Sequence, residues 1–152
     1  EGKAKHRAFL DDYACLAQAL VHLQEITGEQ EFLQKASDIV QYVTEHFSDE
    51  ENRLFYFTHK DQGDVVVRKK EIYDGATPSG NALMAENLLY LSIMCDRPEW
   101  RERAESMVAG LMEVVKTYPT SFGVWAGLLL KLEPVCNEYT CAYPYFPQKQ
   151  VR

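Results

Sequence analysis

The chain repeats itself at a spacing of 68 residues, and this repeat restricts its fold more than any other feature. Phe32 and Trp100 stand at equivalent positions, each shortly after an interruption of the helical pattern, at Gly28 and at 96–98. Apolar residues match on both sides of the interruption, which indicates a repeated helix–turn–helix unit. The matched sets are Leu16, Ala17, Leu20 and Leu23 with Met84, Ala85, Leu88 and Leu91, and Ala36, Ile39, Val40 and Val43 with Ala104, Met107, Val108 and Leu111.

Hydrophobic periodicity predicts an all-α chain with one exception. Thr77 and Pro78 predict an N-cap and first position for the third helix, and Pro98 does the same for the fourth. Two β-rich runs flank Gly63, so we expect one small β-hairpin near 54–70. The predicted helices are 7–26, 30–47, 78–95, 98–117 and 121–132.

Charge separates these helices into two kinds. The second and fourth carry many charged residues beside an apolar stripe, which is typical of helices that face solvent on one side. The third has no Lys or Arg between Lys70 and Arg97, and the first has none between Arg7 and Lys35, so both are predicted to be buried nearly all round. Inner and outer helices that alternate predict an arc of an α/α toroid; a solenoid of helix pairs is the alternative.

Composition excludes several classes of function. A net charge of −7 and a pI near 5.1 oppose binding to nucleic acid or to anionic membranes. The apolar runs are too short for a membrane span. Scattered cysteines suit a reducing compartment, so we expect a cytoplasmic protein. Cys136 and Cys141 lack C-x-x-C spacing and a second ligand pair, and the four histidines share no ligand spacing, so neither a metal nor a cofactor is predicted.

A polar stripe follows the inner helices. At 100° per residue, Asp11 shares one side of the first helix with Gln18, His22 and Glu25, and the repeat places Ser79, Glu86, Tyr90 and Ile93 at equivalent positions. Asp11, Ser79 and Glu86 would then face a central cavity near one mouth. Asp12 lies nearer the apolar side, and both aspartates also suit a first helical turn with no further role. Glu86 lies mid-helix among apolar residues, which predicts either a pocket residue or a structural ion pair.

The loop from Asp74 to Asn81 runs into the predicted third helix. Its glycines, Gly75 and Gly80, would let the backbone approach a ligand, and the helix end would offer free N–H donors. A turn followed by a helix cap explains the same residues without a ligand.

Two sequence strings carry a family resemblance. Ala8-Phe9-Leu10-Asp11-Asp12-Tyr13-Ala14, together with Asp74-Gly75-Ala76-Thr77-Pro78-Ser79-Gly80-Asn81 and the late Cys136 and Cys141, resembles the C-terminal part of the YyaL-type uncharacterised proteins. That family includes the spermatogenesis-associated thioredoxin-like proteins and joins a thioredoxin-like domain to an α/α toroid similar to N-acylglucosamine 2-epimerases and six-hairpin glycosidases. The resemblance implies that residues 1–152 form one domain, a C-terminal fragment of a larger toroid with a sugar-sized cavity. Epimerases of the related fold use histidines, and none of the four here maps onto those positions.

Two functions follow as hypotheses. The first is a carbohydrate-active enzyme, an epimerase or a glycoside hydrolase, with catalytic candidates Asp11, Asp12, Asp74 and Glu86 and ligand-binding candidates Tyr13, Ser79 and Asn81. The second is a non-catalytic sugar- or protein-binding module. Convergence of the carboxylates on one cavity would favour the enzyme. Because the end hairpins of an arc lack neighbours, we also expect the fragment to form a homodimer or to be marginally stable.

Overall fold

The computed structural model describes residues 7–49, 51, 53–63 and 67–132. Within this part of the chain the architecture is all-α and built of helical hairpins, as predicted. A short 3₁₀ turn, Pro119–Ser121, separates the last two helices. The helices are α1 (Leu10–Thr27), α2 (Gln30–Phe47), α3 (Gly80–Met94), α4 (Pro98–Thr117) and α5 (Gly123–Leu132).

The starts of the helices differ in part from the predictions. Helix α3 begins at Gly80, because Ser79 is the N-cap and its hydroxyl accepts a hydrogen bond from the backbone N–H of Ala82 at 3.3 Å. Thr77 and Pro78 therefore lie before the cap, and the prediction that they cap and open the helix is wrong. Pro98 does open α4. There its fixed backbone torsion suits a position whose N–H would have no partner.

The repeat extends to the backbone of the turns. Gly28 ends α1 with φ 74°, and its N–H donates to the carbonyl of Gln24 at 2.7 Å. Asp96, at the equivalent position after α3, has φ 52°. In each hairpin, the turn between the two helices thus contains one residue with a left-handed backbone conformation. Glycine adopts this conformation freely and aspartate tolerates it.

Helices α1 and α3 pack side by side and run in the same direction. Asn87 donates to the carbonyl of Ala14 at 2.9 Å, and Gln18 donates to Glu86 at 3.1 Å. Gly80 at the start of α3 lies against Leu10 and Asp11 at the start of α1, and Tyr90 near the end of α3 bonds Gln24 near the end of α1, so the two helices run in parallel. Gln18 and Glu86 are themselves 68 residues apart, so equivalent positions of the repeat touch each other.

Burial confirms the predicted environment of α3 and corrects that of α1. Eleven of the fifteen residues of α3 are buried, which explains why its sequence is apolar nearly all round. In α1, Leu16 is 51% exposed and Ile26 is 82% exposed, so the prediction that this helix is covered on all sides is wrong. The amphipathic α2 and α4 each bury one stripe, as predicted.

The β-hairpin predicted near 54–70 is wrong for the described residues of that segment, which contain no strand. Phe55 forms an isolated antiparallel bridge with Ser48, and the N–H of Phe57 donates to the carbonyl of Lys69. The physical reason lies in α3, whose Asn81 side chain bonds both the N–H and the carbonyl of Phe55. The Asn81 side chain thus forms the hydrogen bonds that the backbone of a neighbouring strand would form in a β-hairpin.

No helix among the described residues is long and apolar enough to cross a membrane.

Candidate functional site

The N-terminal ends of α1 and α3 meet at Asp11 and Gly80. The Asp11 carboxylate lies so close to Gly80 that a Cβ at residue 80 would overlap its Oδ1 atom. That oxygen is buried and accepts no hydrogen bond of normal geometry from the described residues. Burial raises the pKa of Asp11, the negative charge of Glu71 raises it further, and the backbone N–H of Gly80 opposes the shift. Oδ1 is thus a buried acceptor beside the backbone of Gly80 with no hydrogen bond of normal geometry from the described part of the chain, an arrangement rare enough to require an explanation.

Asp12 and Tyr13 point away from this junction. The Asp12 carboxylate accepts a hydrogen bond from the backbone N–H of Phe9 at 2.8 Å and so helps to cap α1. The ring of Tyr13 packs against α2, 5.3 Å from Tyr42 and 5.5 Å from Phe47 between ring centroids. Burial and a hydrogen bond with Tyr42 raise the pKa of Tyr13. Both side chains therefore have structural contacts in this arrangement.

Asp74 joins the starts of two helices. Its Oδ1 accepts from the N–H of Ser79 at 3.0 Å, and its Oδ2 accepts from the N–H of Val124 at 2.8 Å. Both carboxylate oxygens satisfy donors that a helix N-terminus leaves free. Ser79 in turn uses its hydroxyl as the α3 cap. The helix-capping alternative for this loop is thus realised in the structure.

Asn81 is fully buried, and both the oxygen and the nitrogen of its side-chain amide form hydrogen bonds. Its Oδ1 accepts from the N–H of Phe55 at 2.8 Å, and its Nδ2 donates to the carbonyls of Phe55 and Glu71, both at 2.9 Å. The three bonds fix the segment between α2 and α3, which connects the two hairpins and is called the inter-hairpin segment, on α3. Asn81 therefore holds the backbone next to the junction in place.

Glu86 forms an ion pair on α3. Its Oε1 accepts from the ammonium group of Lys131 on α5, and its Oε2 accepts from Gln18. Six residues separate Glu86 from Gly80, which corresponds to about 9 Å along the helix. Of the two alternatives left open by the sequence, the structural ion pair describes this geometry.

The structure brings some of the predicted residues together and separates others. Asp11, Asp74 and Ser79 lie around the start of α3, Glu86 lies further along that helix, and Tyr13 faces α2. One cavity of about 350 Å³ lies elsewhere and contains none of these residues. It is lined by Leu54, Lys70, Ile72, Met107, Gly110 and Leu111. The catalytic and ligand-binding assignments remain predictions.

Sequence reasoning missed one cluster, formed where the inter-hairpin segment folds back on α2. His59 is 4% exposed, and its Nδ1 accepts from Arg7 at 2.7 Å and from the N–H of Asp61 at 3.0 Å. The His46 ring lies 4.8 Å from that of His59 and stacks on Tyr42. Burial lowers the pKa of His59, and the positive charge of Arg7 lowers it further.

No spacing in the sequence marks this cluster, because His46 and His59 meet only through backbone pairing. The N–H of Tyr56 donates to the carbonyl of Phe47, and the N–H of Lys60 donates to the carbonyl of His46. Across the described ranges, no group of three or more His, Cys, Asp or Glu side chains could hold a metal ion. Cys136 and Cys141 lie outside those ranges, and Cys15 and Cys95 are free thiols.

The sequence of this chain is similar to segments of several much longer proteins. No family model matches the chain. An uncharacterised protein of Caenorhabditis elegans is 34% identical over 119 residues, which cover 78% of this chain and 16% of that protein. Spermatogenesis-associated protein 20 of Rattus norvegicus is 27% identical and that of Homo sapiens 26% identical, each over 114 residues that cover 74% of this chain and 14% of the relative.

The similarity to spermatogenesis-associated protein 20 supports the family resemblance that was predicted from residues 8–14 and 74–81. The chain spans only about a seventh of the length of these relatives.

Proposed function

We propose that this chain is an arc of a larger α/α toroid, in which the N-terminal ends of the inner helices α1 and α3 form one wall of a mouth that binds a small carbohydrate. The observation that carries the proposal is the partly buried carboxylate of Asp11 at the α1–α3 junction, whose Oδ1 accepts no hydrogen bond of normal geometry from the described residues. The domain would be cytoplasmic, which agrees with the free thiols of Cys15 and Cys95.

The parallel register of α1 and α3 supports the toroidal arc. Each inner helix pairs with an outer helix, and the inner helices pack on each other through equivalent positions of the repeat, such as Gln18 and Glu86. Units that repeat this contact build a continuous layer of parallel inner helices. A layer that closes on itself encloses a cavity at the helix ends.

The chemistry of Asp11 suits a ligand rich in hydroxyl groups. Asp11 is only partly buried, so a ligand O–H can donate to its carboxylate, and a hydrogen bond to a charged group contributes about 1.5–3 kcal/mol. Gly80 has no side chain, so the Asp11 carboxylate packs directly on the start of α3, and Asp74, Ser79 and Asn81 fix the backbone around it. In this proposal Asp11 contacts the ligand and the other three hold its surroundings.

Binding without catalysis agrees best with the contacts of the candidate carboxylates. Asp12, Asp74 and Glu86 each already accept hydrogen bonds from the protein itself. A hydrolase or epimerase needs a second group free to act as base or nucleophile.

One observation favours glycoside hydrolysis as a second candidate function. The raised pKa of Asp11 helps it to stay protonated, which a general acid requires. Glycoside hydrolysis uses two carboxyl groups, and Glu71 would be the second one. Its negative charge acts on Asp11, so the two groups are close enough to interact.

A thermal-shift panel of mono- and disaccharides tests the binding proposal. A ligand at ten times its Kd stabilises the folded state by about 1.4 kcal/mol, or roughly 3–6 °C for a domain of this size. We expect a shift with one sugar class, its loss in Asp11→Asn, and its retention in Asp38→Asn, which alters an exposed carboxylate on α2. No shift with any sugar, or an equal shift in Asp11→Asn, would refute the proposal.

A measurement of glycoside hydrolysis distinguishes between sugar binding and catalysis. Glycosides of the sugar class that binds are incubated with the protein, and release of reducing sugar is followed. Release that disappears in both Asp11→Asn and Glu71→Gln supports hydrolysis. Binding without release supports the non-catalytic module.

A further inference from the structure

The cavity of about 350 Å³ lies apart from the α1–α3 junction, between α4 and the inter-hairpin segment. Met107, Gly110 and Leu111 line it from α4, since residues three and four positions apart share one face of a helix. Lys70 and Ile72, two residues apart in the inter-hairpin segment, line it from the opposite side. Pockets for small molecules have volumes of about 300–1,000 Å³, so this cavity can hold a small ligand.

Gly110 creates this space. A Cβ at this position would meet no atom within 4 Å, so close packing does not require a glycine there, and glycine is a poor residue for the middle of a helix. The residue 68 positions earlier is Tyr42, whose ring lies 4.3 Å from that of His46 and 5.3 Å from that of Tyr13 between centroids. The first hairpin therefore has a packed aromatic ring at the position where the second has a cavity.

The walls of the cavity are largely apolar. Gly110 is exposed, so the cavity opens to solvent beside it. Val114, one turn further along α4 and 37% exposed, extends the apolar surface past this opening. Water in such a space finds few hydrogen-bond partners, whereas an alkyl chain gains by leaving water for apolar surroundings. The apolar side chains of the lining are those of Leu54, Ile72, Met107 and Leu111.

Lys70 places a positive charge at the edge of the cavity. Its ammonium group donates to the carboxylate of Asp49, which is 5% exposed, and lies 5.1 Å from the centroid of the Tyr56 ring. An ammonium group has three N–H donors, so it can donate to a second acceptor while it keeps the bond to Asp49. The guanidinium group of Arg68 lies 4.0 Å from the centroid of the same ring. Around this ring, two positive charges thus face the one carboxylate of Asp49.

We propose that this cavity binds a small amphipathic acid, with its alkyl chain between α4 and the inter-hairpin segment and its carboxylate at Lys70. A cationic head group would be repelled by Lys70 and Arg68, and a neutral one would gain no charge-assisted hydrogen bond. The proposal is independent of sugar binding, because the residues predicted for the sugar site do not line the cavity.

Methyl NMR of the methionine residues in the 152-residue chain tests the proposal, with octanoate as the probe. We expect octanoate to shift the signal of Met107 and to leave that of Met84, which is buried in α3 and does not line the cavity. The Kd of octanoate should be about tenfold lower than those of 1-octanol and octyltrimethylammonium, which have the same alkyl chain. No shift of Met107, or a Kd for either other probe within about threefold of that of octanoate, would overturn the proposal.

Two variants locate the binding site. Gly110→Leu should fill the cavity and abolish the octanoate shift, whereas Gly127→Leu should bind octanoate as the unchanged chain does, because Gly127 also has open space at its Cβ but does not line the cavity. Lys70→Gln keeps a donor for Asp49 and removes the charge, so it should weaken octanoate about tenfold and leave 1-octanol unchanged. Unchanged octanoate binding in Gly110→Leu or in Lys70→Gln would refute the proposal. Failure of the sugar panel would leave these results standing.

Discussion

Replacing Gly80 with alanine is expected to destabilise the protein, although alanine is the better helix former. The added Cβ would overlap Asp11 Oδ1 and lie 3.0 Å from Leu10 Cγ and 3.2 Å from the backbone nitrogen of Asp11. The last of these atoms cannot move unless α1 moves. Overpacking of this kind costs about 1–3 kcal/mol, and alanine recovers about 0.5–1 kcal/mol through backbone entropy. We expect a net loss of up to about 2.5 kcal/mol, or as much as about 10 °C in Tm.

Urea unfolding followed by the fluorescence of the buried Trp100 and Trp125 measures this loss. Gly110→Ala is the control, because its Cβ would meet nothing within 4 Å in the middle of α4, and it should stabilise by about 0.4–1 kcal/mol. Asp11→Ala removes the overlapping carboxylate, so the cost of Gly80→Ala should shrink by about 1 kcal/mol in that background. If Gly80→Ala is as harmless as Gly110→Ala, the close packing of α1 on α3 is refuted.

Four further changes have expected outcomes. Asn81→Ala leaves the buried N–H and carbonyl of Phe55 unpaired and should cost about 3–5 kcal/mol in urea unfolding; a cost under about 1 kcal/mol would contradict its role as the anchor of the inter-hairpin segment. Glu86→Gln should change stability by no more than about 1 kcal/mol, because the ion pair with Lys131 is half exposed, and a larger, salt-insensitive loss would contradict that view. The raised pKa of Asp11 means that the folded state holds its proton more tightly, so stability falls as pH rises from 3.8 through the folded pKa; Asp11→Asn should remove this fall in urea titrations across pH, and an unchanged profile would count against it. The lowered pKa of His59 has the opposite consequence, since stability is lost as pH falls from 6.5 through the folded pKa, and His59→Gln should flatten that limb while His22→Gln, at an exposed site, should not.

The repeat made much of the fold predictable. A 68-residue spacing of apolar positions fixes which helices are equivalent, and two equivalent helices in successive hairpins pack in parallel, which puts Gln18 beside Glu86. The left-handed turn at Gly28 could be anticipated from its residue type. The one at Asp96 could be anticipated only from the repeat.

Other features depend on contacts between residues far apart in sequence. Asn81 reaches a backbone 26 residues away, so no local pattern shows that it takes the place of a β-strand partner. Glu86 finds Lys131 on another helix, and its apolar neighbours in sequence predict burial but not the partner. The repeat predicts that an end hairpin lacks a neighbour, but it does not predict which side of α1 is open. An apolar stripe in a sequence indicates that a surface is meant to be covered, but not which chain segment covers it.

The carboxylate of Asp74 couples two helices that are 28 residues apart at their nearest ends. Because one side chain accepts from Ser79 at the start of α3 and from Val124 at the start of α5, neither helix can fray at that end without loosening the other. The starts of α3 and α5 are therefore expected to open together. Helical hairpins joined this way resist local unfolding at their joints, where a stack of independent hairpins would be weakest.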